Sequence, residues 1–293
     1  MAGTRAEAAA RGGRLAADGE PIAVIAGAGG LPEAIAQALK ARGREVLVVA
    51  IDGAADREFG GTSTIHLPIG AAGRLLECLR ANDCAEVVIA GQFHRPRFSD
   101  IEFDLGTLKL ALSSLLRLRF GGDDQVVSRI VEMFEAEGFR IVGPQEAVPE
   151  LISASGPYGG ARPSEDARAD IQTGAAAIRH MAPLDVGQAV VVHSRRIIGV
   201  EAAEGTNAMI LRCGELRANG RLNASAPSGV LVKMPKPGQE LRLEMPVIGP
   251  DTVRAARQAG LAGLAVEAGG VVVVDRSELV ELADEAGLFV VGF

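Results

Sequence analysis

Short apolar runs rich in Val and Ile recur along this chain, and most are followed by a stretch whose apolar residues repeat every three to four positions. That alternation confines the chain to strand–helix architectures, because a parallel strand buried on both faces needs a covering connection before the next strand begins. PIAVIAG, from Pro21, reads as the first buried strand. PEAIAQALKARG reads as a helix, with Pro32 at the tolerated first position and Gly43 at the stop. EVLVVAI is a second strand, AAGRLLECLRAND a helix with Leu75, Leu76 and Leu79 on one face, and EVVIAG a third strand. LGTLKLALSSLLRLRF reads as a further helix, GGDDQVVSRIVEMFEAEG as one opened by acidic residues, and FRIVG as a closing strand. The prediction for residues 21–146 is an open, Rossmann-like, mostly parallel sheet.

Residues 147–163 are crowded with Pro and Gly and lack periodicity, so they read as a linker. Beyond them the spacing predicts a helix over 164–181, a strand pair in QAVVVH and RIIGVEA, and a helix starting near Thr206. A strand in GVLVKM, a helix in PDTVRAARQAG and a strand in LAVEA or VVVVD follow. A helix in SELVELADEAG and a strand in LFVVGF close the pattern. The fold class expected is therefore α/β with two α/β domains, the second (164–293) smaller and mixed, and the functional site in the cleft between them. Residues 1–20 read as a flexible tail.

A length of 293 residues suits two domains. Thirty Lys and Arg against 37 Asp and Glu leave a net charge of −7, which disfavours phosphate-backbone binding. Aromatics at 3%, without Trp, offer little for stacking bases, so no nucleic-acid partner is expected. Cys78, Cys84 and Cys213 are odd in number and form no C-x-x-C pair, which points to a reducing compartment. The opening residues mix Arg with Glu and Asp instead of forming an apolar signal segment, and no apolar run reaches the roughly 18–20 residues of a membrane span. The localisation expected is cytoplasmic.

Several segments carry candidate chemistry. GAGGLP (27–32) joins the first strand to the first helix, where backbone N–H groups can face a phosphate. Pro32 replaces the third glycine of the dinucleotide fingerprint, which disfavours NAD and leaves Gly27 and Gly29 as either phosphate contacts or a plain tight turn. Asp52, after the second strand, fits a ribose contact only loosely. GQFHRP (91–96) places His94 and Arg95 after the third strand, as anion ligands or as a solvated loop. In GGDD, Asp123 reads as a helix cap. The richest cluster comprises DVGQ (185–188), EAAEGTNAM (201–209) and the proline-interrupted KMPKPGQELRLEMPVIGP (233–250). Interleaved lysines and carboxylates beside glycine turns suit a magnesium and pyrophosphate site, or else a surface network of ion pairs.

In order along the chain, IAGAGGLP, AGQFHRP, GDD with FEAEGF, LDVGQAVVV, VEAAEGTNAM and KPGQELRLEMPVIGP resemble the LpxI family, from about Ile22 to Phe293. The resemblance implies a two-domain α/β enzyme, a homodimer, that hydrolyses UDP-2,3-diacylglucosamine to 2,3-diacylglucosamine 1-phosphate and UMP with Mg²⁺ or a similar divalent cation. A nucleotide-activated glycolipid as partner also implies peripheral contact with the cytoplasmic face of the inner membrane. Carried onto this chain, the resemblance and the residue chemistry name Glu244, Lys233 and Gln188 as catalytic. Gly27, Gly29, His94, Arg95, Thr206, Lys236 and Gln239 are named for substrate, and Glu244, Glu204, Glu201 and Asn207 for metal. Two positions depart from the family pattern: Asn207 and Glu244 each stand where the family carries aspartate. The alternatives from the same residues are a non-hydrolytic binder of the same nucleotide-lipid and a different nucleotide-sugar hydrolase.

Overall fold

The computed structural model describes residues 20–93, 123–222 and 227–293, with backbone alone for 123–128. It divides into two compact units at Pro149 and Glu150. In the first unit, β1 (Ile22–Ala26), β2 (Val46–Asp52), β3 (Ser63–Pro68), β4 (Glu86–Ala90) and β5 (Arg140–Ile141) form a parallel sheet in the order β3-β2-β1-β4-β5. The helices are α1 (Leu31–Ala41), α2 (Ala72–Ala81), α3 (Asp123–Ala136) and α4 (Pro144–Ala147). β1 lies at the centre with every side chain buried, which is why its sequence is continuously apolar rather than alternating. α1 turns Ile35, Ala36 and Leu39 inward, the spacing its sequence predicts. The chain runs β1, β2, β3 and then crosses to β4, so the order reverses between β1 and β4.

The second unit carries β6 (Gly156–Pro157), α5 (Glu165–Met181), β7 (Ala189–His193), β8 (Arg196–Val200), α6 (Thr206–Ala218), β9 (Val230–Lys233) and β10 (Val247–Ile248). α7 (Pro250–Ala259), β11 (Gly263–Val266), β12 (Val272–Val273), α8 (Arg276–Glu285) and β13 (Phe289–Gly292) complete it. Six strands pair in the order β6-β13-β11-β9-β7-β8, parallel through β13, β11 and β9 and antiparallel at both margins. Alternation along β9 divides the core. Val230 and Val232 pack with Ile171, Ala175 and Ile178 of α5, while Leu231 joins Met209, Ile210, Ala256 and Leu279 from α6, α7 and α8. Each of these Val, Leu, Ile and Met side chains contributes roughly 1.5–3 kcal/mol by leaving water.

Three sequence expectations change here. The stretch predicted as a linker is tied into the second unit: Ser153 N donates to Val271 O at 2.8 Å, Tyr158 N to Val290 O at 2.9 Å, and β6 pairs with β13. LAVEA and VVVVD both form strands, but in different ladders, since β12 pairs with β10 rather than joining the larger sheet. β3 was not foreseen. The predicted helix over LGTLKLALSSLLRLRF and the tail before Glu20 lie outside the described residues. Among the described residues, no helix is long and apolar enough to cross a membrane.

Candidate functional site

The carboxyl ends of parallel strands are where open α/β sheets bind ligands, because the following loops diverge there. In the second unit β9 reaches that end at Lys233, β8 runs out into Glu201, β7 starts just after Gln188, and α6 begins at Thr206. These four residues form one connected chain. Lys233, 7% exposed, donates from Nζ to Thr206 Oγ1 at 2.6 Å, and the Thr206 hydroxyl donates to Glu201 Oε1. Glu201 Oε2 accepts from the backbone N–H of Gln188 at 3.0 Å. Burial pulls the Lys233 ammonium below the usual lysine range, and the Glu201 carboxylate pulls it the other way. Gly187 makes the approach feasible: a Cβ there would lie 2.1 Å from Glu201 O.

The proline-bearing loop after β9 is laced onto this chain by amides. Gln188 Nε2 and Gln239 Nε2 both donate to the Glu244 carbonyl, at 3.3 and 2.7 Å, and Gln239 Oε1 accepts from Lys236 N at 2.9 Å. Lys236 Nζ pairs with Asp185 Oδ1. Gln188 and Gln239 thus shape the loop through the backbone of Glu244, whose own side chain is half-buried. Asp185 was not singled out from sequence, although its DVGQ segment was. The signal was an acidic residue two positions before the glycine that the approach to Glu201 requires.

The expected metal set of Glu244, Glu204, Glu201 and Asn207 is not assembled as a cage. Among the described residues, no three His, Cys, Asp or Glu side chains gather into a group able to hold an ion. Glu204 pairs with Arg212 at 2.7 Å and accepts from Ala202 N at 3.2 Å, and the Arg212 guanidinium holds its carboxyl below the usual range. Asn207 is exposed on the first turn of α6. Glu201 fits best, since each of its oxygens accepts a hydrogen bond, Oε1 from Thr206 and Oε2 from Gln188 N, and retains a further lone pair. One such carboxylate suffices for Mg²⁺, which fills its remaining positions with phosphate oxygens and water. Glu240 and Arg242 form an ion pair at 2.6 Å within one turn.

In the first unit, Gly27 and Gly29 do lie at the carboxyl end of β1, but protein groups fill the turn. Ala28 and Gln92 exchange two backbone hydrogen bonds, both 2.9 Å, and close the gap between β1 and β4. A Cβ on Gly27 would meet Gln92 O at 2.6 Å. The Gly29 N–H, the donor a phosphate would use, is taken by Asp56 Oδ1 at 2.9 Å. Asp52 makes a different contact, with His66 at 3.4 Å. His94 and Arg95 lie outside the described residues, and so does the side chain of Asp123.

The LpxI N-terminal domain family matches residues 21–151 and the LpxI C-terminal domain family matches residues 154–291. UDP-2,3-diacylglucosamine pyrophosphatase LpxI of Caulobacter vibrioides is 39% identical over 271 residues, spanning 92% of this chain and 96% of that protein. Among solved structures, the C-terminal domain of the coenzyme A biosynthesis bifunctional protein CoaBC covers 42% of this chain and 75% of its own, at 15% identity and a TM-score of 0.27, too slight a likeness to bear on the fold. With both domain families matched in order and a full-length relative at this identity, the chain belongs to the LpxI family.

Proposed function

We propose that this chain is a hydrolase that cleaves the diphosphate of UDP-2,3-diacylglucosamine, releasing UMP and 2,3-diacylglucosamine 1-phosphate for lipid A synthesis. The observation that carries the reading is the buried Lys233–Thr206–Glu201 chain at the strand ends, in a protein 39% identical to one named for this reaction. Water adds its oxygen to one phosphorus, the bridging P–O bond breaks, and one water proton is lost. Catalysis of such a step is chiefly positioning and charge neutralisation.

Lys233 supplies a positive charge in a site from which water is largely excluded, where electrostatic stabilisation is strongest. Thr206 holds the ammonium and the Glu201 carboxylate in register, and Glu201 is the group placed to orient a water or receive its proton. Lys236, fixed by Asp185, offsets further phosphate charge. Glu244 sits in the loop held by Gln188 and Gln239, with its carboxylate one methylene longer than the family's aspartate. A divalent ion such as Mg²⁺ would be held by Glu201 and would neutralise diphosphate charge. The reading extends to a cytoplasmic homodimer meeting its glycolipid at the inner membrane surface, and sedimentation with and without vesicles tests that extension.

The decisive assay mixes the full chain with UDP-2,3-diacylglucosamine in Mg²⁺ and, separately, in EDTA. UMP release that EDTA abolishes is the expected result. Tight binding without UMP would make the protein a carrier of the nucleotide-lipid, and neither binding nor release would point to another nucleotide sugar.

A further inference from the structure

Thr206 carries its hydroxyl between a cation and a carboxylate. Lys233 Nζ donates to Oγ1 at 2.6 Å, and the hydroxyl donates its own proton to Glu201 Oε1. The Glu201 carboxylate is oriented in turn by the Gln188 N–H on Oε2. A hydroxyl within reach of a base, with the base held by a third group, is the arrangement that activates a nucleophile. The adjacent ammonium stabilises the negative charge that grows on Oγ1 as its proton leaves. A hydroxyl oxygen has two lone pairs, so Oγ1 keeps one after accepting from Lys233.

The turn leaves room beside this hydroxyl. β8 ends at Val200 and α6 starts at Thr206, a strand-to-helix turn of the kind on which α/β-hydrolases present their serine. Gly205, with φ of 80°, makes the turn, and a Cβ built on it would meet nothing within 4 Å. Thr206 itself is half-buried, whereas Lys233 is buried. No side chain caps α6, and Asn207 and Ala208 are exposed on its first turn. N–H groups at those positions have no intrahelical acceptor and lie at the positive end of the helix, where they suit phosphoryl oxygens.

Resting on the function proposed above, we infer that Thr206 is the nucleophile and that hydrolysis runs in two steps through a phosphodiester on its hydroxyl. In the first step, Oγ1 bonds to one phosphorus of the diphosphate and its proton passes to Glu201 Oε1. The bridging P–O bond breaks, and its electron pair leaves with the departing phosphate monoester. In the second step, water adds its oxygen to the same phosphorus and the P–Oγ1 bond breaks. Oγ1 recovers its proton from Glu201, and one water proton is released to solvent. The sum of the two steps is the addition of one water across the diphosphate. Lys233 is the poorer nucleophile, since its ammonium has no lone pair.

The test mixes the full chain with UDP-2,3-diacylglucosamine and Mg²⁺, quenches in acid within milliseconds and maps the peptides by mass spectrometry. The expected adduct is a phosphodiester on Thr206 that carries either uridine or diacylglucosamine. Both support the nucleophile, and the mass says which phosphorus was attacked. Two displacements at one phosphorus retain its configuration, and a single one inverts it. A substrate made chiral with sulfur at the phosphorus that takes up ¹⁸O, hydrolysed in H₂¹⁸O, is therefore expected to show retention. Thr206→Val is expected to lower kcat roughly 10⁶-fold, the scale on which loss of a nucleophilic hydroxyl is felt. Thr206→Ser is expected to restore the adduct. The stereochemistry is read on the wild-type chain, so it decides even where Thr206→Val fails to fold.

Steady UMP release with inversion and no adduct overturns the nucleophile and keeps the hydrolysis, leaving Thr206 as a strut between Lys233 and Glu201. An adduct found on Glu201 or Lys233 instead of Thr206 also overturns it. An adduct on Thr206 that forms once and does not turn over keeps the nucleophile and overturns the hydrolysis. The absence of both adduct and UMP overturns both.

Discussion

In the proposed reaction, Lys233 is the residue on which the chemistry turns. Its ammonium is buried against Thr206, and desolvation draws its pKa below the ordinary lysine value of about 10.4. The charged form exists below the folded-state pKa, so hydrolysis should fall as pH rises through a limb lying below that ordinary value. Lys233→Met should cost about 10²–10³ in kcat and remove the limb. Lys233→Arg should move the limb out of range, since arginine stays charged. A pH profile of kcat decides, and a limb that survives in Lys233→Met assigns it to another group. The stability sign follows as well: a lysine whose pKa is lowered by folding opposes folding while protonated. Wild-type stability therefore gains as pH climbs toward the ordinary lysine value, and Lys233→Met lacks that gain. At this scale, Lys233, Gln188, Thr206, Glu201 and Gln239 were legible because segments rich in charge and glycine marked them. What residue types could not reveal was that Arg212, on the next helix, would draw Glu204 into an ion pair.

At the scale of elements, α5 does two things its sequence states only in part. Its buried Asp170 accepts from Ser194 N at 3.1 Å and Arg195 N at 2.5 Å, holding the β7–β8 turn, where both residues have positive φ, 51° and 61°. Asp170→Ala should strand two donors and destabilise by about 1–3 kcal/mol in urea unfolding. Gly174 faces the sheet, where an added Cβ would lie 2.6 Å from Val232 Cγ2 and 3.2 Å from Val190 Cγ2. Alanine is the better helix former by about 1 kcal/mol. The overpacking costs about 1–3 kcal/mol, so Gly174→Ala should destabilise. A rise in the urea midpoint would mean that the helix shifts outward at little cost. Strands buried on both faces announced themselves by unbroken Val and Ile. β3 did not, because Ser63 and His66 are exposed on a strand at the sheet margin, and β6 and β10, of two residues each, have no period to read.

Across the whole molecule, the two ends of each sheet are built differently. At the amino ends, charges are spent on fixing strands in place. Glu86, 5% exposed, pairs with Arg44 at 3.0 Å and Arg140 at 2.6 Å ahead of β2, β4 and β5. Arg217 Nη2 donates to Ser228 O and Gly260 O, both at 2.9 Å, ahead of β9 and β11. At the carboxyl ends the first sheet closes on itself through Ala28, Gln92 and Asp56, while the second presents Lys233 and its partners. The alternation of strands and helices made both sheets readable, but which end would carry stability and which chemistry depends on pairings between residues tens of positions apart. Glu86→Ala leaves two arginines without their buried carboxylate and should cost about 3 kcal/mol. Arg217→Ala should cost about 1–3 kcal/mol through the Ser228 carbonyl it leaves unpaired, since Gly260 O still accepts from Ser228 N at 3.0 Å. Both should keep kcat/KM per folded molecule within about twofold, since neither touches the carboxyl ends. Lys233→Met should show the reverse, lost turnover in a folded protein. Urea midpoints and initial rates on the three variants test this division, and an Arg217→Ala protein that is fully stable but inactive would show that the amino end of the second sheet also serves the reaction.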